Sequence, residues 1–330
     1  MRLEHQGLCK RLQSIRVPVL SSVWLVTSGY LVGLTAKHFF TFAHNHWSHA
    51  VATANPNKLI LEVNTMTDSN QAVTSREYKL MLNTDRFQDK DKGAGRFLEL
   101  IELLINKHGG IIIEKQNKEE RRETSYLDTP QFALRQSGFS LRVRQEAKGF
   151  QINLKYRDSD RYISAAQDLS SSQKGKVKFE EDILPPFISK FSHSNSIETD
   201  VMPQLKTMKQ VSSLFPGIAK LGIDENTPVK IANNFTAVEV VRKLCKFQFD
   251  KTEPIKASLS FWYLANDMEW PLVAEFSFDY DALKNDEPGL EKYPLSVVEG
   301  ASNFFRALQQ QTGWLDTTTS TKTGFALEVL

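Results

Sequence analysis

The stretch FSLRVRQEAKGFQINLKYRD, residues 139–158, alternates polar and apolar side chains along two segments joined by a short turn. Successive side chains of a β-strand point to opposite faces, so Arg142 and Arg144 share one face of the first strand. Asn153 and Lys155 share a face of the second strand in the same way. The leucine, isoleucine and valine residues between them point to the other face. The stretch therefore predicts an antiparallel hairpin with one cationic and one apolar surface.

Two arrangements account for such a hairpin. In the first, the sheet turns its polar face to water and packs its apolar face on a core. In the second, the sheet is concave and gathers its cations around a polyanion. The hairpin alone leaves both open.

Composition narrows the class of protein. The chain has 330 residues, of which 41% are hydrophobic, which is ample for a globular core in one large domain or two. Its 41 Lys and Arg residues nearly balance 39 Asp and Glu residues, so no global basic field indicates nucleic-acid binding, and any anion site must be built locally. The two cysteines, Cys9 and Cys245, are too few for a disulfide framework, and Cys245 is predicted to be a buried strand residue. The phosphate-loop, dinucleotide-binding and esterase signatures are absent.

Residues 1–65 differ in composition from the rest of the chain. Glu4 and Glu62 are their only acids, and residues 17–36 form an uncharged, largely apolar run. That run is long enough to cross a bilayer, but serine, threonine and glycine dilute it. We interpret residues 1–65 as a disordered, targeting or non-native extension of a cytoplasmic protein whose domain starts at Met66. The alternative is a membrane anchor or export signal in residues 17–36.

From residue 75 onward the pattern is strand, helix and then many strands, with a final amphipathic helix in SVVEGASNFFRALQQQTGW. Residues 187–235 are predicted to be a helical or irregular insertion. Many antiparallel strands with few helices favour a single α+β domain, residues 66–330, whose sheet closes into a barrel.

Several short motifs follow one another along this domain. In order, they are Ser75-x-Glu77-x-Lys79, Tyr126-Leu127-Asp128-Thr129, Leu141-Arg142-Val143-Arg144 and a strand ending in Lys155. Together they resemble the motifs of the CYTH superfamily, the triphosphate tunnel metalloenzymes. The resemblance implies an antiparallel eight-stranded closed β-barrel, the triphosphate tunnel fold, with flanking helices.

The same resemblance implies roles for individual residues. The implied substrate-binding residues are Lys79, Arg142, Arg144, Lys155, Lys178, Arg242 and Lys246, with Lys243 as an alternative in the last pair. Lys79 and Glu180 are implied to be catalytic. The implied ligands of Mg²⁺ or Mn²⁺ are Glu77, Glu180, Asp182 and Glu275. The chain departs from the family at Ser75 and Ser277, where Glu is usual.

Physical chemistry is compatible with these roles. Cations that face one another inside a barrel repel unless a highly charged anion lies between them. A linear triphosphate is such an anion, and Mg²⁺ prefers the oxygen ligands that carboxylates supply. The alternative is that the acids only form ion pairs with the cations.

The predicted function is metal-dependent hydrolysis of inorganic triphosphate or a related organic triphosphate. One alternative is a catalytically weakened phosphate- or polyphosphate-binding module, suggested by the two serines. A second alternative is a class IV-type adenylate cyclase. The expected partner is a triphosphate-containing small molecule, with neither nucleic acid nor a membrane, and a homodimer is left open.

Overall fold

The computed structural model describes residues 72–251, 254–282, 293–318 and 321–328, together with the backbone of two short paired strands, β1 (Val26–Thr27) and β2 (Tyr30–Leu31). The chain divides into two compact units, Met1–Met66 and Thr67–Leu330. Apart from β1 and β2, the apolar run at residues 17–36 lies outside the described residues. Within the described ranges, no helix combines the length and the apolar composition needed to cross a membrane.

A closed β-barrel forms the centre of the second unit. Its strands are β3 (Ser75–Leu82), β4 (Ile111–Lys115), β5 (Glu119–Asp128), β6 (Phe139–Glu146), β7 (Gly149–Asp158), β8 (Lys176–Leu184), β9 (Ile188–Thr199), β10 (Lys230–Gln248), β11 (Ile255–Tyr263) and β12 (Val273–Asp281). The ring runs β3-β8-β9-β7-β6-β5-β10-β11-β12 and closes where β12 pairs with β3, while β4 pairs with the end of β10 outside it. The predicted α+β fold with a closed barrel and flanking helices is confirmed.

Two details of the predicted barrel need correction. The ring contains nine strands rather than eight, and β3 pairs with β8 in parallel while the other pairs are antiparallel. The ninth strand is β9, which occupies the start of the segment predicted as an insertion (187–235). Its buried centre, Ser192–Asn195, is polar on both faces, so it lacks the apolar alternation by which strands are recognised.

Six helices accompany the barrel in the described residues. They are α1 (Lys90–Lys107), α2 (Ala133–Gln136), α3 (Arg161–Ala165), α4 (Met208–Leu214), α5 (Leu295–Gln309) and α6 (Lys322–Glu328), with 3₁₀ turns at Thr84–Phe87, Pro216–Leu221 and Thr312–Trp314. Asp89 starts α1 as its N-cap, since its side chain accepts a hydrogen bond from the Lys92 N–H. The two long helices, α1 and α5, correspond to the two main helices predicted from the sequence.

The apolar core lies outside the barrel, between the sheet and the helices. Phe97 of α1 packs against Phe276 of β12 with ring centroids 5.0 Å apart. Phe304 of α5 packs against Phe278 of the same strand at 5.2 Å. Cys245 of β10 is buried in this core, as predicted. Because the outward faces of the strands carry the apolar residues, their inward faces are left for polar side chains.

A bulge in β10 connects the barrel to α6. Asn233 and Asn234 have φ values of 54° and 52°, and the register between β10 and β5 shifts at this point. Asparagine adopts this left-handed conformation more readily than most residues. The Asn233 side-chain amide then donates a hydrogen bond of 3.0 Å to the Ala326 carbonyl of α6. The bulge thus holds the C-terminal helix against the barrel.

Candidate functional site

The barrel encloses a polar cavity with a volume of about 280 Å³. Eight cationic side chains line it: Lys79, Arg122, Arg142, Arg144, Lys155, Arg157, Lys178 and Lys322. Three carboxylates also line it: Glu77, Glu180 and Glu275. Alternation along the strands accounts for most of these positions, since every second residue of a barrel strand faces the interior.

The hairpin formed by β6 and β7 turns its cationic face to this cavity. Arg142, Arg144, Asn153 and Lys155 all line the interior, while Leu141 is buried in the outer core. The exposed-sheet arrangement is therefore excluded for this hairpin. Its apolar face packs under α4 and the neighbouring turns.

Arg242 and Lys246, predicted to bind substrate, lie outside the cavity. Arg242 forms ion pairs with Asp91 of α1 and, at 2.6 Å, with Glu119. Lys246 forms an ion pair with Glu114 at 2.7 Å. The parity of β10 explains the error at Arg242, because Glu239 and Val241 occupy the inward positions of the strand. The register shift between Lys243 and Cys245 means that this parity does not extend to Lys246.

Lys243, the alternative in that pair, also lies outside, at 3.2 Å from Glu120. The other predicted substrate-binding residues, Lys79, Arg142, Arg144, Lys155 and Lys178, do line the cavity.

Four functional candidates escaped the sequence analysis: Arg122, Arg157, Glu239 and Lys322. Arg157 follows Lys155 by two positions in a predicted strand, so alternation alone could have identified it. Arg122 lies four positions before Tyr126 on β5, so alternation places both on the same face of the strand. Lys322 comes from a short helix with no strand period, and no local signal indicates its position.

Asp182 is the most deeply buried acid at one end of the site, with no solvent exposure. Its carboxylate is 2.7 Å from Lys79 Nζ and 2.5 Å from an Arg157 nitrogen, and it accepts a 2.6 Å hydrogen bond from the Ser192 hydroxyl. Burial opposes the charge, but Lys79 and Arg157 outweigh it and hold the pKa of Asp182 well below its usual value. Asp182 is thus a permanent anion paired with two cations.

Glu239 of β10 is a second carboxylate with no solvent exposure, and it too is surrounded by cations. Its carboxylate is 2.7 Å from Arg122 Nε, 3.0 Å from Lys322 Nζ and 3.3 Å from Arg144. The hydroxyl groups of Thr124 and Ser260 also donate to it, at 3.1 and 2.8 Å. Burial is again the largest influence, yet the surrounding cations hold the pKa of Glu239 well below its usual value.

The cations of the β6–β7 hairpin are less fully compensated. Among the described residues, Arg142 has no ion pair, and the Nε atoms of both Arg142 and Arg144 are buried without a hydrogen-bond acceptor. Lys155 is 3.8 Å from Glu180. Burial lowers the pKa of Lys155 to about 8, and burial together with the charge of Arg142 lowers the pKa of Arg144. These groups carry positive charge that the protein itself only partly neutralises.

The four acids predicted to hold a metal are each bound to a cation. Glu77 is 2.8 Å from Lys79, Glu180 is 3.0 Å from Lys178, and Glu275 is 2.9 Å from Lys322. In the described part of the chain, no group of three or more His, Cys, Asp or Glu side chains is placed to hold a metal ion. In this arrangement the donor set therefore does not fit Mg²⁺ or Mn²⁺.

The remaining motif residues have local structural contacts. Asp128 accepts hydrogen bonds from the backbone N–H groups of Thr129, Leu134 and Arg135, which fixes the turn into α2. Ser75, one of the two serines found where Glu is usual, donates a 3.1 Å hydrogen bond to Glu180. Position 75 thus supplies a hydroxyl donor where the resemblance implies a carboxylate.

Comparison with known proteins gives only distant similarities. No protein-family profile and no curated protein matches the chain. Among solved structures, one similar protein is a Hippeastrum protein provisionally named adenylyl cyclase HpAC1, which is described as having a dominant triphosphatase activity. It is 12% identical over 78% of this chain and 97% of its own, with a TM-score of 0.42. A Bacillus halodurans protein provisionally named an adenylate cyclase is 11% identical over 77% and 97% of the two chains, with a TM-score of 0.35. Similarities this weak assign neither a family nor an activity to this chain.

Proposed function

We propose that the barrel cavity binds a compact polyanion of the triphosphate class. Eight cations line the cavity, against three lining carboxylates and the two buried carboxylates of Asp182 and Glu239, which leaves an excess of three positive charges. Like charges that line one cavity repel one another, so an anion placed between them would be bound strongly. Ligand pockets usually enclose about 300–1,000 Å³, so a cavity of about 280 Å³ suits a small ligand.

The observation that carries the proposal is the pair of buried guanidinium Nε donors on β6 that have no acceptor in the part of the chain that the structure describes. The Nε atoms of Arg142 and Arg144 are buried and donate to no acceptor in the described residues. A buried donor without an acceptor costs stability, so such groups are retained where a ligand supplies the acceptor. Guanidinium groups bind phosphate oxygens through paired, charge-assisted hydrogen bonds, whereas a single small anion could not satisfy several of them at once.

Lys155 extends this surface on β7. Its Cα partner across the hairpin is Ser140, two residues before Arg142 and on the same inward face. Residues two apart on a strand are about 6–7 Å apart, so a chain of linked phosphate groups spans more of the row Arg144, Arg142 and Lys155 than a single phosphate does. The proposal therefore places the anion along the β6–β7 wall.

Calorimetric titration of the full-length chain with tripolyphosphate tests this proposal. Tripolyphosphate should bind more tightly than orthophosphate, and salt should weaken its binding. Arg142→Met should reduce the affinity for tripolyphosphate, whereas Arg121→Met, which changes an exposed arginine of β5, should not. Equal affinity for the two phosphates, or equal loss in the two variants, would contradict the proposal.

A second candidate function is hydrolysis of the bound triphosphate, for which Mg²⁺ or Mn²⁺ would have to be held by carboxylates released from their present ion pairs with lysines. It is favoured by one observation: Glu77, Glu180 and Glu275 line the same cavity as the cations. Lys79 and Glu180, predicted to be catalytic, would then face the substrate. Phosphate release from a panel of inorganic and organic triphosphates, with and without these metals, is the test. Binding without release under every condition would leave a phosphate-binding module.

A further inference from the structure

Lys322 occupies an unusual position among the cavity cations, because it comes from a helix and not from the barrel wall. Its ammonium nitrogen is 3.0 Å from Glu239 Oε1, 2.9 Å from Glu275 Oε1 and 3.0 Å from Ser260 Oγ. An ammonium group has three donors, and each finds an oxygen here. The Lys322 side chain is only 17% exposed.

The three oxygen atoms come from three neighbouring strands. Glu239, Ser260 and Glu275 lie on β10, β11 and β12, and all three side chains converge on the same point. Two carboxylates and a hydroxyl are hard oxygen donors of the kind that Mg²⁺ and Mn²⁺ prefer. Without Lys322, Glu275 would have no ion-pair partner among the described residues, while Glu239 would keep Arg122 and Arg144.

Helix α6 is fixed so that Lys322 reaches this point. Arg135 donates a 2.6 Å hydrogen bond to the Leu327 carbonyl, and Asn233 donates to that of Ala326. The hydroxyl groups of Tyr126 and Thr323 are 3.0 Å apart. Phe325 packs against Trp262 with ring centroids 6.4 Å apart. Contacts on several sides of the helix therefore hold it in place.

The environment keeps Lys322 charged. Burial lowers the pKa of its ammonium group, but Glu239 and Glu275 have the opposite effect, and the net result is a raised pKa. Lys322 therefore carries its positive charge throughout the physiological range.

We infer that Lys322 is a built-in counter-cation, which occupies the place between Glu239 and Glu275 that a divalent metal ion would otherwise take. The cavity then binds its polyanion without a metal at this position. The part of the inference that concerns polyanion binding rests on the proposed function. The exclusion of a metal ion by Lys322 does not, because it can be measured without any phosphate. The two can therefore fail separately.

The first arm of the test measures Mn²⁺ uptake by the full-length chain without any phosphate, from the loss of the electron paramagnetic resonance signal of free Mn²⁺. Lys322→Gln should take up Mn²⁺ about tenfold more tightly than the wild type, because a like charge at the same point no longer opposes the metal. Adding Glu275→Gln should abolish this gain. Lys220→Gln, which changes an exposed lysine paired with Asp168, is the matched control and should match the wild type. Equal uptake by the wild type and Lys322→Gln would overturn the inference.

The second arm titrates tripolyphosphate with and without a chelator. Wild-type affinity should be unchanged by the chelator, whereas Lys322→Gln should bind weakly in chelator and recover with Mn²⁺. Loss of wild-type binding on chelation would overturn the inference, while absence of binding under all conditions would refute only the proposed function. If Lys322→Gln does not fold, the wild type is compared with Glu275→Gln instead. Wild-type Mn²⁺ uptake that Glu275→Gln removes would then refute the role of Lys322.

Discussion

Replacing Arg144 with methionine separates the two physical roles that a buried cavity cation can have. Methionine retains much of the volume of the arginine stem and removes its charge, so the packing of β6 changes little. In the empty protein the change removes one 3.3 Å ion pair with Glu239. In the complex with tripolyphosphate it removes a charged donor to a phosphate oxygen.

The structure sets the size of each effect. Glu239 keeps Arg122 and Lys322 after the replacement, so no buried charge is left without a partner. Repulsion with Arg142 and the cost of burying the guanidinium both disappear, and these are the influences that lower the pKa of Arg144. We therefore expect the free energy of unfolding of the empty protein to hold or rise, with a change within about 1 kcal/mol. A charge-assisted hydrogen bond is worth about 1.5–3 kcal/mol, so affinity should fall by roughly tenfold to a hundredfold.

Calorimetric titration with tripolyphosphate, together with urea unfolding of the empty protein, measures both quantities. Arg121→Met is the control, since Arg121 is exposed on the outer face of β5. Unchanged affinity in Arg144→Met would refute the placement of the anion along the β6–β7 wall. A loss of several kcal/mol in the empty protein would instead identify Arg144 as a structural partner of Glu239.

Three further predictions concern buried charges. Burial lowers the pKa of Lys155 from 10.5 to about 8, so the free energy of unfolding should rise as pH increases from 8 to 10.5. Anion binding above pH 8 should take up a proton, which titrations in buffers of different ionisation enthalpy would detect. Asp182→Asn should destabilise the protein by about 3–5 kcal/mol in urea unfolding, because Arg157 loses its ion-pair partner and Lys79 keeps only Glu77. Burial, and after it the charge of Glu77, raises the pKa of Asp279 from 3.8 to about 7. The free energy of unfolding should therefore fall as pH rises from 3.8 to 7, and Asp279→Asn should remove that pH dependence.

Local alternation was sufficient to predict the wall of the site. The period of two along residues 139–158 places Arg142, Arg144 and Lys155 on one face whatever the rest of the chain does. The apolar residues on the other face require a core on that side. Applied to many strands, the same rule predicts an apolar outer face and a polar inner face for a sheet that closes into a barrel.

The same rule failed where a strand lacks an apolar face or where its inward face is ambiguous. In β9 the buried centre is polar on both sides, so the strand was mistaken for part of an insertion. In β10 most residues are buried, so the sequence does not indicate which parity faces inward. Pairing with β5 and β11 decides this, and it turns Glu239 inward and Arg242 outward.

The sequence by itself determined the cationic hairpin, the strands of an α+β fold and the two long helices, because alternation and helical periodicity record which face of each element is apolar. Only the tertiary structure decided which charges compensate one another. Lys322 reaches Glu239 across 83 residues of chain, and Lys79 reaches Asp182 across 103. Such pairs form because barrel closure and helix docking bring distant segments together, and no local period records that distance.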